Sequence, residues 1–264
     1  MSEDLDRGTL QIGKTDIERY EQDGAICLRG LFDDYWVERM RRALEDIMGK
    51  EASPNSFFSF SKYCIADKEP ELMAFAMESP AGEIARQVMR SSRVQFYFDQ
   101  IFIKEPGMRG PSPWHHDQPF WPVLGNQICS VWLALDPVTK ATSGLEYVAG
   151  SHRWGKFFKP PTPGNSSQPG FEEDDAMPDI ESNLSKYRLL NWDMEPGDCL
   201  VHHGLTVHGA GGNTSLDIRR RALATRWAGD DATYRAGGGD QPLQVEGLRA
   251  GDPLPPDRFP FVVS

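Results

Sequence analysis

Two hydrophobic periods divide the chain. Before residue 92 apolar positions recur at helical spacing; from residue 93 they alternate. Trp36, Val37, Met40, Leu44, Ile47 and Met48 fall three or four apart and predict one amphipathic helix, stopped by Gly49. Thr15 with Glu18 forms a capping box, which predicts a short helix over DIERYEQ ending near Gly24. AICLRG (25–30) reads as a strand between these helices. Pro80 suits a first helical position, so a helix over 81–91 follows.

RVQFYFDQIFIKEPG (93–107) is rich in aromatic and β-branched residues at a period near two and predicts a strand. ICSVWLALD (128–136), GLEYVAG (144–150), YRLLNWDM (187–194), CLVHHGLTVHGA (199–210) and RRRALATRWAGDD (219–231) predict five more, with EPGD (195–198) as a turn. Strands do not alternate with helices here, so a β-sandwich or barrel is expected rather than a doubly wound sheet. The expected division is one domain over 1–264. A mixed helical buttress covers 1–92, the barrel core 93–231 and a C-terminal tail 232–264. Residues 155–185 hold five prolines and interrupt the core as a lid or binding loop.

Composition narrows the function. A chain of 264 residues can bury a sizeable core. A net charge of −11 argues against a nucleic-acid backbone as partner. No apolar run approaches the ~20 residues that span a bilayer, so no membrane partner is expected. The acidic start MSEDLDRGTL is no secretory signal, and Cys27, Cys64, Cys129 and Cys199 form no CxxC pair. A cytoplasmic protein acting on a small molecule is expected.

Candidate chemistry lies in the histidines, all six of which fall between residues 115 and 208. WHHDQPFW (114–121) places His115 and Asp117 two apart, on one face of an extended segment. His208, on a separate predicted strand, is the best third ligand. Two histidines and one carboxylate form the facial triad of non-haem Fe(II) oxygenases, which keeps coordination positions open for a cosubstrate and O₂. A zinc hydrolase using the same three residues is chemically possible, although no HExxH helix is present. Arg219-Arg220-Arg221 tips the balance, because a guanidinium binds the distal carboxylate of 2-oxoglutarate bidentately. A non-catalytic barrel with a vestigial site is the third reading.

PWHHDQPFWPV, SVWLALD, LEYVAGSH, EPGDCLVHHGLTVHGAGGNTS and RRRALATRW occur in this order, and with them the chain resembles the phytanoyl-CoA dioxygenase family of Fe(II)/2-oxoglutarate-dependent oxygenases over roughly residues 10 to 264. The resemblance implies a mainly β chain with flanking helices around a double-stranded β-helix, a jelly-roll of the cupin-like kind. It implies that His115, Asp117 and His208 bind Fe(II), and that an arginine soon after His208 holds 2-oxoglutarate. Loop counting gives Arg219; the strand anchor gives Arg220, which is preferred. Trp132 matches the family tryptophan against the cosubstrate, and Gln100 falls on a strand that contributes a cosubstrate contact. Ala210 stands where serine is common. The implied reaction couples O₂ and 2-oxoglutarate to hydroxylation of an unactivated C–H bond, with release of succinate and CO₂. Halogenating relatives lack the carboxylate that Asp117 supplies, so halogenation is disfavoured. His116 should point away from the ion. His202 shares the parity of His208 but is expected to lie outside the ligand set.

Overall fold

The computed structural model describes residues 10–50, 58–159, 175–236 and 243–263. Four helices, α1 (Lys14–Asp23), α2 (Asp34–Lys50), α3 (Pro70–Glu78) and α4 (Ala81–Val88), lie in the first part of the chain with strands β1 (Ala25–Leu28) and β2 (Phe60–Tyr63). The remaining strands are β3 (Val94–Lys104), β4 (Ser112–His115), β5 (Val123–Leu124), β6 (Ile128–Ala134), β7 (Leu145–Val148), β8 (Leu189–Leu190), β9 (Cys199–His203), β10 (His208–Ala210), β11 (Arg220–Ala228), β12 (Thr233–Tyr234) and β13 (Phe261–Val263).

The larger sheet runs β1-β9-β6-β11-β3-β13, with β2 also paired to β3; the smaller runs β4-β10-β7-β8. The chain passes repeatedly from one sheet to the other: β3 to β4, β6 to β7, β8 to β9, β9 to β10, β10 to β11. All these strand pairs are antiparallel. This is the expected jelly-roll.

Alternation along the strands sorts side chains to two faces. The outer face of the larger sheet, through Ile101, Val131, Val201 and Leu223, packs on Met40, Leu44, Phe75 and Ile84 of the helices. The inner face carries Trp132, Ala134, Leu200, Ala222 and Ala224. Ala222 and Ala224 keep the first half of β11 low, with Arg220 at its start and Arg226 two residues before its end on the same face.

Local chemistry explains where the observed elements depart from the expected ones. Helix α1 begins at Lys14 after Gly13, with no side-chain cap, so Thr15 lies inside the first turn and the capping box does not form. Helix α2 continues past Gly49 to Lys50, since one glycine in a final turn costs only about 1 kcal/mol. Helix α3 was not expected, although Pro70 at its first turn is a start signal. Helix α4 ends at Val88 rather than 91. Of YRLLNWDM only Leu189–Leu190 pairs, at the edge of the smaller sheet. CLVHHGLTVHGA is not one strand. Thr206 N–H bonds back to the His203 carbonyl at 2.9 Å, and the chain turns there from the larger sheet to the smaller. Of the expected lid, residues 160–174 lie outside the described residues; its flanks pair Phe158 with Asp175.

Gly24 fixes that turn. Its φ of +81° ends α1 in the left-handed region, and a Cβ there would stand 2.3 Å from His152 Nδ1 and 2.4 Å from Thr206 Oγ1. Its carbonyl accepts from His203 N–H at 2.9 Å and from the Thr206 hydroxyl at 2.7 Å.

Candidate metal centre

His115 is the last residue of β4 and His208 the first of β10, and strand pairing sets them opposite each other. Their imidazole centroids are 4.3 Å apart. Asp117 follows two residues on, in helical backbone conformation at the head of a 3-10 turn over Gln118–Phe120. The stretch is therefore not extended throughout, yet the carboxylate still turns to the same side as the His115 ring. Asp117 Oδ1 lies 3.7 Å from His115 Nε2 and 3.8 Å from His208 Nε2. One donor atom from each residue lies within 4.8 Å of the other two. An ion about 2.1 Å from each donor can sit between atoms so spaced.

Neighbouring carbonyls select the right tautomer. His115 Nδ1 faces the Pro113 carbonyl at 2.7 Å, and His208 Nδ1 faces the Thr206 carbonyl at 2.9 Å. A carbonyl only accepts, so both Nδ1 atoms carry the proton and both Nε2 lone pairs face the site. Burial pushes His208 well below its ordinary value and keeps it neutral. Burial alone would raise Asp117, but the hydrogen bond from His202 and the Arg226 guanidinium hold it well below the usual carboxylate range.

The second carboxylate oxygen, Oδ2, is held from the other side. Ser130 donates to it at 3.2 Å, His202 Nε2 lies at 3.2 Å and Arg226 Nη2 at 3.9 Å. Tyr147 contacts His202 Nδ1 through its hydroxyl at 3.1 Å. Asp117 thus presents one oxygen to an ion and commits the other to protein. Sequence reasoning missed Ser130, Tyr147 and Arg226. Alternation held a signal for two of them: Ser130 lies two residues before Trp132, and Arg226 six after Arg220. His202 does face inward, though from the opposite sheet to His208. His116 turns away; its Nε2 accepts from Phe158 N–H at 2.8 Å.

The three successive arginines separate cleanly. Arg219 pairs with Glu105 at 2.9 Å and Glu45 at 2.6 Å. Arg221 pairs with Asp136 at 2.7 Å and Glu45 at 2.9 Å. Arg220 is 1% exposed and points inward, its guanidinium carbon 5.5 Å from the Trp132 ring. Its Nη1 donates to the Phe102 carbonyl at 3.3 Å, and among the described residues its buried Nε has no hydrogen-bond partner. Burial pushes Arg220 down to about 10. Gln100 faces the same interior, but its Oε1 accepts from Arg226 at 2.9 Å. Ala210 lies on β10, two residues past His208.

Two imidazoles and one carboxylate suit Fe(II). A buried guanidinium with an unpartnered N–H suits an anionic cosubstrate. Jelly-roll and site together define a 2-oxoglutarate-dependent oxygenase. The chain belongs to the phytanoyl-CoA dioxygenase (PhyH) family, whose profile matches residues 20–222. A probable phytanoyl-CoA dioxygenase of Caenorhabditis elegans is 23% identical over 236 residues, 80% of this chain and 74% of that one. The solved non-heme alpha ketoglutarate dependent carbocyclase SnoK from nogalamycin biosynthesis is 25% identical with a TM-score of 0.76, over 95% of this chain and 96% of that one. The epimerase SnoN, solved with Fe3+, alpha ketoglutarate and nogalamycin RO, shares the fold at 23% identity and a TM-score of 0.71, over 94% and 97%. Among the described residues no helix is long and apolar enough to cross a membrane.

Proposed function

We propose that this chain uses Fe(II), 2-oxoglutarate and O₂ to hydroxylate an unactivated C–H bond of a small-molecule metabolite. Arg220 carries the reading. Among the described residues Arg220 is a buried cation with no carboxylate partner, while the arginines on either side of it are paired, and this calls for an anionic ligand inside the barrel.

His115 and His208 would hold the metal through Nε2 and Asp117 through Oδ1. A metal held there would supply the redox chemistry by which O₂ and 2-oxoglutarate give succinate and CO₂. The protein's own part is placement. The Ser130 and His202 contacts engage Asp117 Oδ2, so the carboxylate would offer a metal Oδ1 alone. Arg220 grips the distal carboxylate of 2-oxoglutarate, and Trp132 forms a flat wall beside it. Gln100 steadies Arg226, six residues along β11 from Arg220. Phe120 stands edge-on to His115 at 6.3 Å, and Phe98 edge-on to Trp121 at 5.3 Å. These rings keep water from the reacting atoms, which limits side reactions.

The test is O₂-driven succinate formation across a metabolite library, with ¹⁸O₂ and mass detection. The expected hit gains one oxygen atom from O₂ for each succinate formed. Zinc-supported hydrolysis without O₂, together with no succinate above background for any compound, would overturn the reading.

A further inference from the structure

Arg226 lies 3% exposed on the inner face of β11. Its Nη2 donates to Gln100 Oε1 at 2.9 Å and its Nη1 to the Ala224 carbonyl at 3.3 Å, and both partners are neutral. Phe98, Phe102 and Trp121 surround the guanidinium, with ring centres 5.0, 5.5 and 5.8 Å from its carbon. Among the described residues Arg226 Nε has no hydrogen-bond partner, and Asp117 supplies the only carboxylate within 4.0 Å of the guanidinium.

The contact with Asp117 is one of charge. Its Oδ2 lies 3.9 Å from Arg226 Nη2, too far for a hydrogen bond, and Ser130 and His202 already reach that oxygen at 3.2 Å. Burial pushes Arg226 down and Asp117 is the first group to oppose this; a guanidinium stays charged all the same. Burying a cation without a direct carboxylate bond is costly. What this one supplies, and neutral hydrogen-bonding groups cannot, is a fixed positive charge beside a candidate metal ligand. That charge offsets part of the negative charge of the carboxylate. Fe(III) carries one charge more than Fe(II), so a nearby cation disfavours it more. The three aromatic rings keep water away from the guanidinium, so its field is little screened.

We propose that Arg226, acting through Asp117 and without touching the metal, biases the metal centre toward Fe(II) over Fe(III). The proposal rests on the metal reading above. Fe(II) is the state that reacts with O₂, so the bias keeps a resting site ready for its cosubstrates and slows its loss to ferric iron.

The experiment is a mediated redox titration of iron-loaded protein without 2-oxoglutarate, read by the electron paramagnetic resonance signal of high-spin Fe(III). Arg226→Met removes the charge at similar length. Arg226→Gln removes it and keeps a donor for Gln100, and it carries the test should the methionine variant not fold. Arg226→Lys keeps the charge. In the two neutral variants the ratio of Fe(III) to Fe(II) affinity is expected to rise roughly 10- to 100-fold, a fall in midpoint of about 60–120 mV at about 59 mV per tenfold. Arg226→Lys is expected to recover most of the difference. An unchanged or raised midpoint in folded Arg226→Gln would overturn the proposal and leave the metal reading intact. So would an equal fall in Arg226→Lys, which marks a residue needed for shape rather than charge. Wild-type protein that takes up no Fe(II) would overturn both.

Discussion

Ser130→Ala isolates what holds the free oxygen of Asp117. The hydroxyl is buried on β6 and donates to Oδ2 over 3.2 Å. Its loss removes one atom, too little to admit water, and leaves His202 at 3.2 Å and Arg226 at 3.9 Å. A full-strength hydroxyl-to-carboxylate bond is about 2.5–2.7 Å long, so 3.2 Å places this bond at the weak end of the charged range, about 1.5 kcal/mol. That corresponds to roughly tenfold in affinity, the lower end of what partners of metal ligands contribute. The assay is anaerobic competition for Fe(II) against a chromophoric chelator. Wild type, Ser130→Ala, Asp117→Asn and the double variant are compared. Ser130→Ala should weaken Fe(II) binding about tenfold. In the Asp117→Asn background the serine change should add almost nothing, because it acts through the carboxylate. Equal affinity of wild type and Ser130→Ala refutes the reasoning, and so does a loss of the same size that persists in the Asp117→Asn background.

Three further outcomes are expected. Arg220→Met should weaken 2-oxoglutarate binding more than about 100-fold, since it removes a bidentate charged partner, whereas Arg219→Met should stay within about twofold because Arg219 is spent on half-exposed ion pairs; comparable losses would show that the wrong arginine has been assigned. Gly24→Ala should cost at least about 2 kcal/mol in urea denaturation, from left-handed strain plus the clash with His152 and Thr206; a loss under about 0.5 kcal/mol would count against this turn as a fixed hinge between β9 and β10. His203 is 6% exposed, and burial lowers it to about 3. The unfolded chain, with a value near 6.5, therefore takes up the proton first. The stability from neutral His203 is complete above about pH 6.5 and falls by about 1.4 kcal/mol per unit as pH drops toward 3. Between about pH 6.5 and 5, wild type should lose about 2 kcal/mol more than His203→Gln; parallel pH curves for the two would contradict it.

Much of this was legible in the sequence because it depends on short-range pattern. The period of two marked β3, β6 and β11, and the HxD spacing with a distant histidine marked the three residues that meet at the candidate metal centre. What escaped depends on long-range register. Gln100 meets Arg226 only because β3 and β11 pair in that register, and Ser130 meets Asp117 only because β6 brings its hydroxyl to the head of the 3-10 turn. The run of 199–210 read as one strand because both halves alternate. The break is set by Gly24, some 180 residues upstream, whose carbonyl receives Thr206. His202 shows the same limit: parity put it on the inner face, and only the fold shows that it reaches Asp117 from the opposite sheet.

The central claim is that His115, Asp117, His208 and Arg220 form one Fe(II)/2-oxoglutarate site. Anaerobic addition of Fe(II) and then 2-oxoglutarate, followed by visible absorption, tests it most directly. A weak charge-transfer band is expected in wild type, absent in His208→Ala and restored in Arg220→Met only at far higher 2-oxoglutarate. No band in folded wild-type protein at saturating Fe(II) and 2-oxoglutarate, or an undiminished band in His208→Ala, would contradict the account.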